Sequence, residues 1–283
     1  VYTREGAHAH HRILFHEDIT GKEITSHLLN AVKKLKNVRM YEYTTLLDIL
    51  CDGSKCCGGI IRWPDGREEQ VEADYVILAT GGIGGTYKHS TNFKHLTGDG
   101  VEIARRHNIE LKNLDYVQIH PTTLYSDNKE ERSFLISESV RGEGARLYDK
   151  NMNRFVDELL PRDLLTQEIY KQMEKDGTDF VWEDLRTIPR DELISHFPNI
   201  IEHCSQAGYD VFHECIPIVP AQHYFMGGIK VNHNSKTSMD HLYAVGETAC
   251  NGVHGKNRLA SNSLLESLVF AKRAAKEIAG ERR

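Results

Sequence analysis

No stretch of this chain is apolar over the roughly 20 consecutive residues that a membrane-spanning helix needs, so the sequence predicts no contact with a membrane. Basic residues are not in excess either. The net charge of −6 argues against a general nucleic-acid-binding surface. No signal peptide opens the sequence, and charged residues make up 27% of it. We therefore expect a globular, cytoplasmic protein whose 283 residues suffice for two ordinary domains.

The sequence contains few residue patterns that are typical of metal-binding sites. The six cysteines include no pair separated by two residues, the spacing typical of structural zinc. Three of them lie in 51–57, which invites a metal or disulfide interpretation, but no second cluster would complete four ligands. Residues 8–11 include three histidines without a carboxylate at helical spacing. We expect scattered thiols, a polar turn near a ligand at 8–11, and no bound metal.

The sequence also contains no G-x-G-x-x-G loop, the motif that binds pyrophosphate at the first helix of a dinucleotide-binding domain. It begins at Val1 rather than at Met. The start at Val1 favours an internal fragment or a processed chain, and the missing loop fits a chain whose first βαβ unit lies upstream of Val1.

The first secondary-structure signals are a helix and a strand. Thr20-x-x-Glu23 is a capping box followed by apolar residues at helical spacing, so 21–36 is predicted as a helix with one buried face. Residues 38–50 are rich in β-branched and aromatic side chains and are predicted as a strand.

A hairpin and a buried strand follow. Pro64-Asp65-Gly66 predicts a hairpin turn. The apolar run 75–79 predicts a strand buried on both faces, and it leads directly into a glycine turn at 80–85. Together with the preceding helix, these elements are typical of half of a dinucleotide-binding domain.

The middle of the chain, 114–224, mixes short strands with helices. Pro161 and Gly177 bracket one predicted helix, and Pro198 interrupts another over 191–206. The buried-strand pattern returns at 242–247. We therefore predict a nucleotide-binding domain, 1–113 and 225–283, interrupted by an inserted domain, 114–224.

The final predicted helix opens with a second capping box, Ser263-x-x-Glu266. Its predicted apolar face consists of Leu264, Leu265, Leu268, Val269 and Ala275.

Four cationic or imidazole side chains are candidates for a ligand site: His120, Arg162, His223 and Arg258. Each lies near Pro, Gly or Asn, in a predicted turn or at the end of an element. Arginine can bind a carboxylate through two parallel hydrogen bonds. Brought together, the four would form a site for a small dianion, whereas each alone could be a structural residue.

Candidate cofactor residues lie where predicted strands meet turns or helices. Glycine at 81 and 82, after Thr80, allows the backbone to approach a flat or charged ligand. Asp99 could accept hydrogen bonds from ribityl or ribose hydroxyls, or could simply cap a helix. Glu247 follows a strand. Ser263 and Leu264 begin a helix whose free N–H groups suit a flavin carbonyl, although an ordinary capped helix is the alternative.

These motifs resemble the succinate dehydrogenase/fumarate reductase flavoprotein superfamily, and within it the L-aspartate oxidase family. The resemblance covers nearly the whole chain. Ala260-Ser261, where other members tend to have Gly-Gly, and Glu5 within Arg-Glu-Gly favour the aspartate-oxidising family. The similar segments are 4–8, 79–82, 97–100, 118–122, 137–138, 141–145, 161–163, 219–224, 246–247 and 254–263.

The resemblance implies a Rossmann-like FAD-binding domain interrupted by an inserted α+β capping domain, without the family's N-terminal glycine-rich unit and C-terminal helical domain. It implies FAD as cofactor, with weak FAD retention by the fragment alone. The implied reaction is oxidation of L-aspartate to iminoaspartate, the first step of de novo NAD biosynthesis, with electrons passed to O₂ or fumarate. L-aspartate and fumarate are thus the implied ligands, and quinolinate synthase is a candidate partner in the pathway.

The resemblance also implies roles for individual residues. His120, His223 and Arg258 would bind the substrate carboxylates, and Glu5 would orient the ammonium group. Arg162 would transfer a proton, or act only electrostatically, because its guanidinium pKa is ordinarily above about 12. The remaining polar residues of the substrate site would be Gln118, Ser137 and Glu138, the last of which could instead pair with Arg141.

Two other functions remain open on the sequence. One is a fumarate reductase or succinate dehydrogenase flavoprotein subunit. The other is a non-catalytic module that binds a dicarboxylate or a protein partner. Turnover of L-aspartate against succinate would separate the two enzymes, and a bound flavin would exclude the module.

Overall fold

The computed structural model describes residues 2–3, 9–10, 12–17, 19–128 and 131–281. The chain forms two compact units. The first consists of Val1–Asn30, Tyr87–Lys94 and Gln118–His223, and the second of Ala31–Thr86, His95–Val117 and Tyr224–Arg283. The domain boundaries at 113/114 and 224/225 stay a prediction.

The described elements include both strands and helices in each unit. The strands are β1 (Tyr2–Thr3), β2 (Ile13–Leu14), β3 (Thr45–Asp52), β4 (Lys55–Arg62), β5 (Glu68–Glu72), β6 (Val76–Leu78), β7 (Leu111–Lys112), β8 (Val117–Leu124), β9 (Arg146–Tyr148), β10 (Val181–Asp184), β11 (Ile216–Phe225), β12 (Gly228–Lys230), β13 (Leu242–Ala244) and β14 (Ala249–Cys250). The helices are α1 (Thr20–Val32), α2 (Asp99–Arg106), α3 (Glu138–Gly142), α4 (Arg162–Asp176), α5 (Arg190–His196), α6 (Pro198–Gln206) and α7 (Asn262–Glu281). None of the helices in the described part of the chain has the length and apolar character of a membrane span.

The first unit is built on a four-stranded sheet in the order β8-β11-β10-β9. Strand β10 is antiparallel to both neighbours, with Trp182 opposite Pro217 and Tyr148. Helix α4 begins directly after Pro161 and ends at Asp176; the C-cap residue is Gly177, whose φ of 65° suits glycine. Both predicted helix limits are confirmed. Leu165 and Ile169 of α4 are completely buried in the core of this unit.

The second unit contains three small sheets: β3-β4-β5, β14-β12-β7 and β13-β6. The predicted hairpin around 64–66 is confirmed by the antiparallel pairing of β4 and β5. Strands β6 and β13 are parallel, so segments far apart in the sequence pair side by side. Their buried side chains form one core with Ile103, Ala104 and Ile229.

The burial predicted for the first helix is wrong. Helix α1 ends at Val32 rather than near residue 36, and none of its residues is buried; Leu28 is 50% exposed. The strand predicted over 38–50 begins only at Thr45. Helical spacing shows that apolar side chains share a face, but burial requires a neighbouring element to cover that face.

The burial predicted for 75–79 and for the final helix is also partly wrong. Strand β6 is short, and Ile77 is 46% exposed. On α7, Leu265 is 61% exposed, and Leu268 and Val269 are exposed as well. The buried side of α7 instead carries Glu266, Phe270 and Ala274, which recur every four residues.

Candidate active site

Arg162, the first residue of α4, lies at the centre of a polar cluster in the first unit. Its Nε donates to Glu138 Oε2 at 2.6 Å, and its Nη1 donates to Gln118 Oε1 at 3.1 Å. The side chains of Arg162 and Glu138 are only 10% and 9% exposed. This is a charge-assisted contact in a poorly solvated environment, where such contacts are strong.

Glu138 is held by the start of α3. The N-cap residue of that helix is Ser137, whose Oγ accepts a hydrogen bond from the N–H of Ser139 at 3.3 Å. Ser137 therefore has a structural function whether or not it touches a ligand. The structure brings Glu138 to Arg162, a cationic partner that lies 24 residues further along the sequence.

His120 and His223 lie together in the same unit, with ring centroids 5.2 Å apart in a T-shaped arrangement. His120 is fully buried, and its Nδ1 lies 3.2 Å from the Thr122 N–H nitrogen and 3.0 Å from the Thr122 carbonyl oxygen. Burial, followed by the charge of Arg162, holds the pKa of His120 well below its ordinary 6.5. His120 is therefore a neutral imidazole. His223 Nδ1 is hydrogen-bonded to Thr91 Oγ1 at 2.8 Å.

Arg258 belongs to the second unit. It is buried, and its guanidinium lies over the ring of Tyr224, 5.0 Å from the centroid. Tyr224, which follows His223 in the chain, donates its hydroxyl hydrogen to Glu266 Oε2 at 2.6 Å. His254 Nε2 lies 2.7 Å from the same oxygen, and Asn251 Nδ2 donates to Glu266 Oε1 at 2.5 Å.

This network around Glu266 was not predicted from the sequence. The pattern Ser263-x-x-Glu266 predicts a capping box, whereas in the described structure the carboxylate accepts from Tyr224 and Asn251 and contacts His254. The one available signal was an acidic residue between Leu265 and Leu268, on a helix predicted to be partly buried. Because a carboxylate is rarely buried unless it is paired, such a residue indicates a hydrogen-bonding partner elsewhere in the chain.

The candidate cofactor residues lie in the second unit as well. Gly81 has a φ of 73°, and a Cβ on Gly82 would collide with the carboxylate of Glu247. Thr80 Oγ1 donates to Thr248 Oγ1 at 2.9 Å. Glu247 Oε1 accepts from the N–H of Phe225 at 2.8 Å, and burial raises the pKa of Glu247 to about 7.

Asp99 and the start of α7 complete this set. Asp99 opens α2 behind Gly98, whose φ is 85°. Its exposed carboxylate accepts from Thr97 Oγ1 at 2.7 Å, so it does not cap the helix through its side chain. Ser263 and Leu264 are partly buried in the first turn of α7.

Not every predicted site residue can be placed. Glu5 lies outside the described residues. His120, Arg162 and His223 belong to the first unit and Arg258 to the second, so the grouping of all four stays a prediction. Within the described part of the chain, no group of three His, Cys, Asp or Glu side chains is placed to bind a metal ion.

The sequence profile of the family described as "FAD binding domain" matches residues 1–264. This chain belongs to that FAD-binding family. FAD is accordingly its cofactor.

Two curated relatives of this FAD-binding chain are clostridial proteins. The L-aspartate oxidase of Clostridium perfringens is 52% identical over 98% of this chain and 63% of its own length. The L-aspartate oxidase of Clostridium acetobutylicum is 49% identical over 98% of this chain and 64% of its own length. The chain thus spans somewhat less than two thirds of these relatives.

Solved structures share the fold of the FAD-binding chain. A quinol-fumarate reductase structure superposes with a TM-score of 0.91 at 33% identity, covering 100% of this chain and 52% of the other. A variant of E. coli quinol fumarate reductase gives 0.89 at 31% identity, covering 98% and 51%. The predicted mixed α/β, FAD-binding fold is confirmed.

The chemistry of the second unit fits FAD. The exposed carboxylate of Asp99 and the carboxyl group of Glu247 can accept hydrogen bonds from ribityl or ribose hydroxyls. The first-turn N–H groups of α7, at Ser263 and Leu264, can donate to a flavin carbonyl. The contact of Gly82 with Glu247 means that a larger side chain at 82 would displace one of these acceptors.

Proposed function

We propose that the full-length protein oxidises L-aspartate to iminoaspartate, using FAD, as the first step of de novo NAD biosynthesis. The observation that carries the proposal is the 52% identity to an L-aspartate oxidase over 98% of this chain. The polar side chains described above suit a substrate with two carboxylates and one amine.

His120, His223 and Arg258 are the proposed carboxylate ligands. A neutral imidazole carries one N–H, so buried His120 can donate a single hydrogen bond without bringing a second charge. Arg258 supplies the cation, and the ring of Tyr224 beneath it restricts its orientation. Loss of one charged contact of this kind typically costs about 1.5–3 kcal/mol of binding free energy.

Gln118, Ser137 and Glu138 are proposed to complete the polar surface of the site, with Glu5 orienting the substrate ammonium. Gln118 and Glu138 are both bound to Arg162, which fixes their positions relative to each other. Preorganised polar groups of this kind contribute to catalysis because they need no rearrangement during the reaction.

FAD, when bound, supplies the acceptor for the hydride that leaves Cα. The substrate ammonium must also lose a proton, and Arg162 with Glu138 is the proposed proton-handling pair. Arg162 is held by two acceptors and is shielded from water, which favours a defined geometry for proton transfer. A purely electrostatic role for Arg162 is the alternative, and the kcat of a variant separates the two.

The proposal extends to ligands, partner and location. L-aspartate and fumarate are the proposed dicarboxylate ligands, and O₂ or fumarate is the proposed final electron acceptor. Quinolinate synthase is the proposed consumer of the product, and the cytoplasm is the proposed location.

A second candidate function is that of a fumarate reductase or succinate dehydrogenase flavoprotein subunit. The TM-score of 0.91 and 33% identity to a quinol-fumarate reductase favour it. Both reactions need a site for two carboxylates, but only aspartate brings an ammonium group that a carboxylate such as Glu5 can bind.

Steady-state oxidation of L-aspartate and of succinate by the full-length protein tests the proposal. We expect L-aspartate to be oxidised with a kcat/KM at least about tenfold higher, since one misplaced charged contact typically costs about 1.5–3 kcal/mol, which is roughly ten- to a hundredfold. A preference for succinate would establish the second candidate instead. Absence of bound flavin would refute both.

A further inference from the structure

Two buried titratable side chains in the first unit have polar atoms without a hydrogen-bond partner among the described residues. Glu183 of β10 is fully buried, and neither of its carboxylate oxygens has a partner among the described residues. Arg141 of α3 is also buried. Its Nη1 donates to the carbonyl oxygen of Glu158 at 2.6 Å, whereas its Nε and Nη2 have no partner within the described structure.

These two side chains are electrostatic neighbours. The positive charge of Arg141 favours ionisation of Glu183, and the negative charge of Glu183 favours the protonated form of Arg141. Desolvation opposes ionisation of Glu183 and is the larger effect, so the pKa of Glu183 rises to about 8. Glu158 raises it further. Burial, followed by the charge of Glu183, raises the pKa of Cys204 to about 12. Glu183 is therefore mostly protonated at neutral pH.

The carboxyl group of Glu183 and the Nε and Nη2 groups of Arg141 cannot remain buried without hydrogen bonds unless a large desolvation cost is incurred. Arg141 offers two N–H donors, and Glu183 offers an acceptor and an O–H donor. A buried water molecule typically makes about three hydrogen bonds to polar groups that lack other partners. The donors and acceptors present here match that requirement.

We propose that Arg141 and Glu183 form a binding site for an ordered internal water molecule, and that Glu183 acts through this water as a positioning residue for Arg141. The charge of Arg141 acts on both Glu138 and Arg162. Glu183 thereby helps to hold a cation beside the Arg162–Glu138 pair. The consequence for turnover rests on the proposed function, whereas the water site and the protonation of Glu183 do not.

Infrared difference spectroscopy on the full-length protein tests the protonation directly. The spectrum of the wild type minus Glu183→Gln should contain the C=O band of a protonated carboxyl group at neutral pH, and the band should disappear as the pH rises through about 8. The matched control is Glu192→Gln, because Glu192 is an exposed carboxylate on α5 of the same unit. It should show only ionised carboxylate bands. Ionised bands for Glu183 at neutral pH would overturn the proposal.

A high-resolution crystal structure of the full-length protein tests the water site. We expect density for a water within hydrogen-bond distance of Arg141 and Glu183. A direct Arg141–Glu183 contact with no water between the two side chains would overturn the inference.

Two variants separate positioning from packing. Glu183→Gln keeps polar partners for the water, so it should retain the wild-type kcat and remove any contribution of this group to the alkaline limb of the pH profile. Glu183→Leu has a similar volume but no polar atoms, and should lower kcat by about tenfold or more without a matching rise in KM. If the Leu variant does not fold while the Gln variant does, the polar role is supported. A Glu183→Leu variant with wild-type stability and kcat would refute the polar role of Glu183. Flavin-bound protein that never oxidises L-aspartate would refute the proposed function alone.

Discussion

Replacing Arg162 with leucine removes the side chain that joins Glu138 to Gln118. Two hydrogen bonds of 2.6 and 3.1 Å are lost, and the Glu138 carboxylate, which is 9% exposed in the wild type, loses its bonded cation. Removing one partner of a buried ion pair costs about 3–5 kcal/mol. Because Arg141 also acts on Glu138, we expect the lower end, about 3 kcal/mol of unfolding free energy. If Arg162 transfers a proton, kcat should also fall by about 10²–10⁴-fold.

Chemical denaturation and steady-state kinetics of the full-length protein measure the two effects separately. The control is Arg105→Leu, because Arg105 is 67% exposed and pairs with Glu102 on the surface of α2. This control should leave stability and kcat unchanged within error. A fall in kcat of less than about tenfold for Arg162→Leu would refute proton transfer and leave only an electrostatic role. A loss of stability no larger than that of the control would refute the buried pair.

Three further predictions concern buried groups and a glycine. The pKa of Glu183 is raised from 4.5 to about 8, so its contribution to stability is complete below pH 4.5 and is lost as the pH rises towards 8. This pH dependence of the unfolding free energy is worth at most about 5 kcal/mol. Denaturation curves measured across this pH range should show that Glu183→Gln removes it. The pKa of His120 is lowered, so its contribution is present above pH 6.5 and is lost as the pH falls below it. His120→Gln should flatten this acid-side decline, and an unchanged slope would contradict a buried neutral imidazole. Gly82→Ala should displace Glu247 and reduce the FAD content of purified full-length protein. The control Gly21→Ala, where a Cβ meets nothing within 4 Å, should retain the wild-type FAD content. Equal FAD content in the two variants would refute a role of the Gly82–Glu247 contact in FAD binding.

The sequence predicted well those elements whose limits depend on local chemistry. Pro161 and Gly177 bracket α4 as expected, and the break at Pro198 separates α5 from α6. Proline removes a backbone donor and glycine accepts a left-handed conformation, so both act wherever they stand in the fold.

Burial was predicted less well because it depends on distant partners. Leu265 and Leu268 have the spacing of a buried face but are exposed on α7, while Glu266 between them is buried. Glu266 is accommodated by Tyr224, which is 42 residues away in sequence. The sequence of α7 alone does not predict that hydrogen bond.

The candidate site shows the same limit. Arg162 and Glu138 were each identified from sequence motifs, but the direct contact between them depends on how α3 and α4 pack. The unpartnered atoms of Arg141 and Glu183 were not predicted, because a buried polar atom without a hydrogen bond can be recognised only when its surroundings are known.

Anaerobic mixing of the full-length, FAD-bound protein with L-aspartate tests the central claim most directly. The account predicts loss of the oxidised-flavin absorption band with stoichiometric appearance of iminoaspartate or its hydrolysis product, and no loss of the band with succinate at the same concentration. Flavin that stays oxidised with L-aspartate but is reduced by succinate would contradict the account.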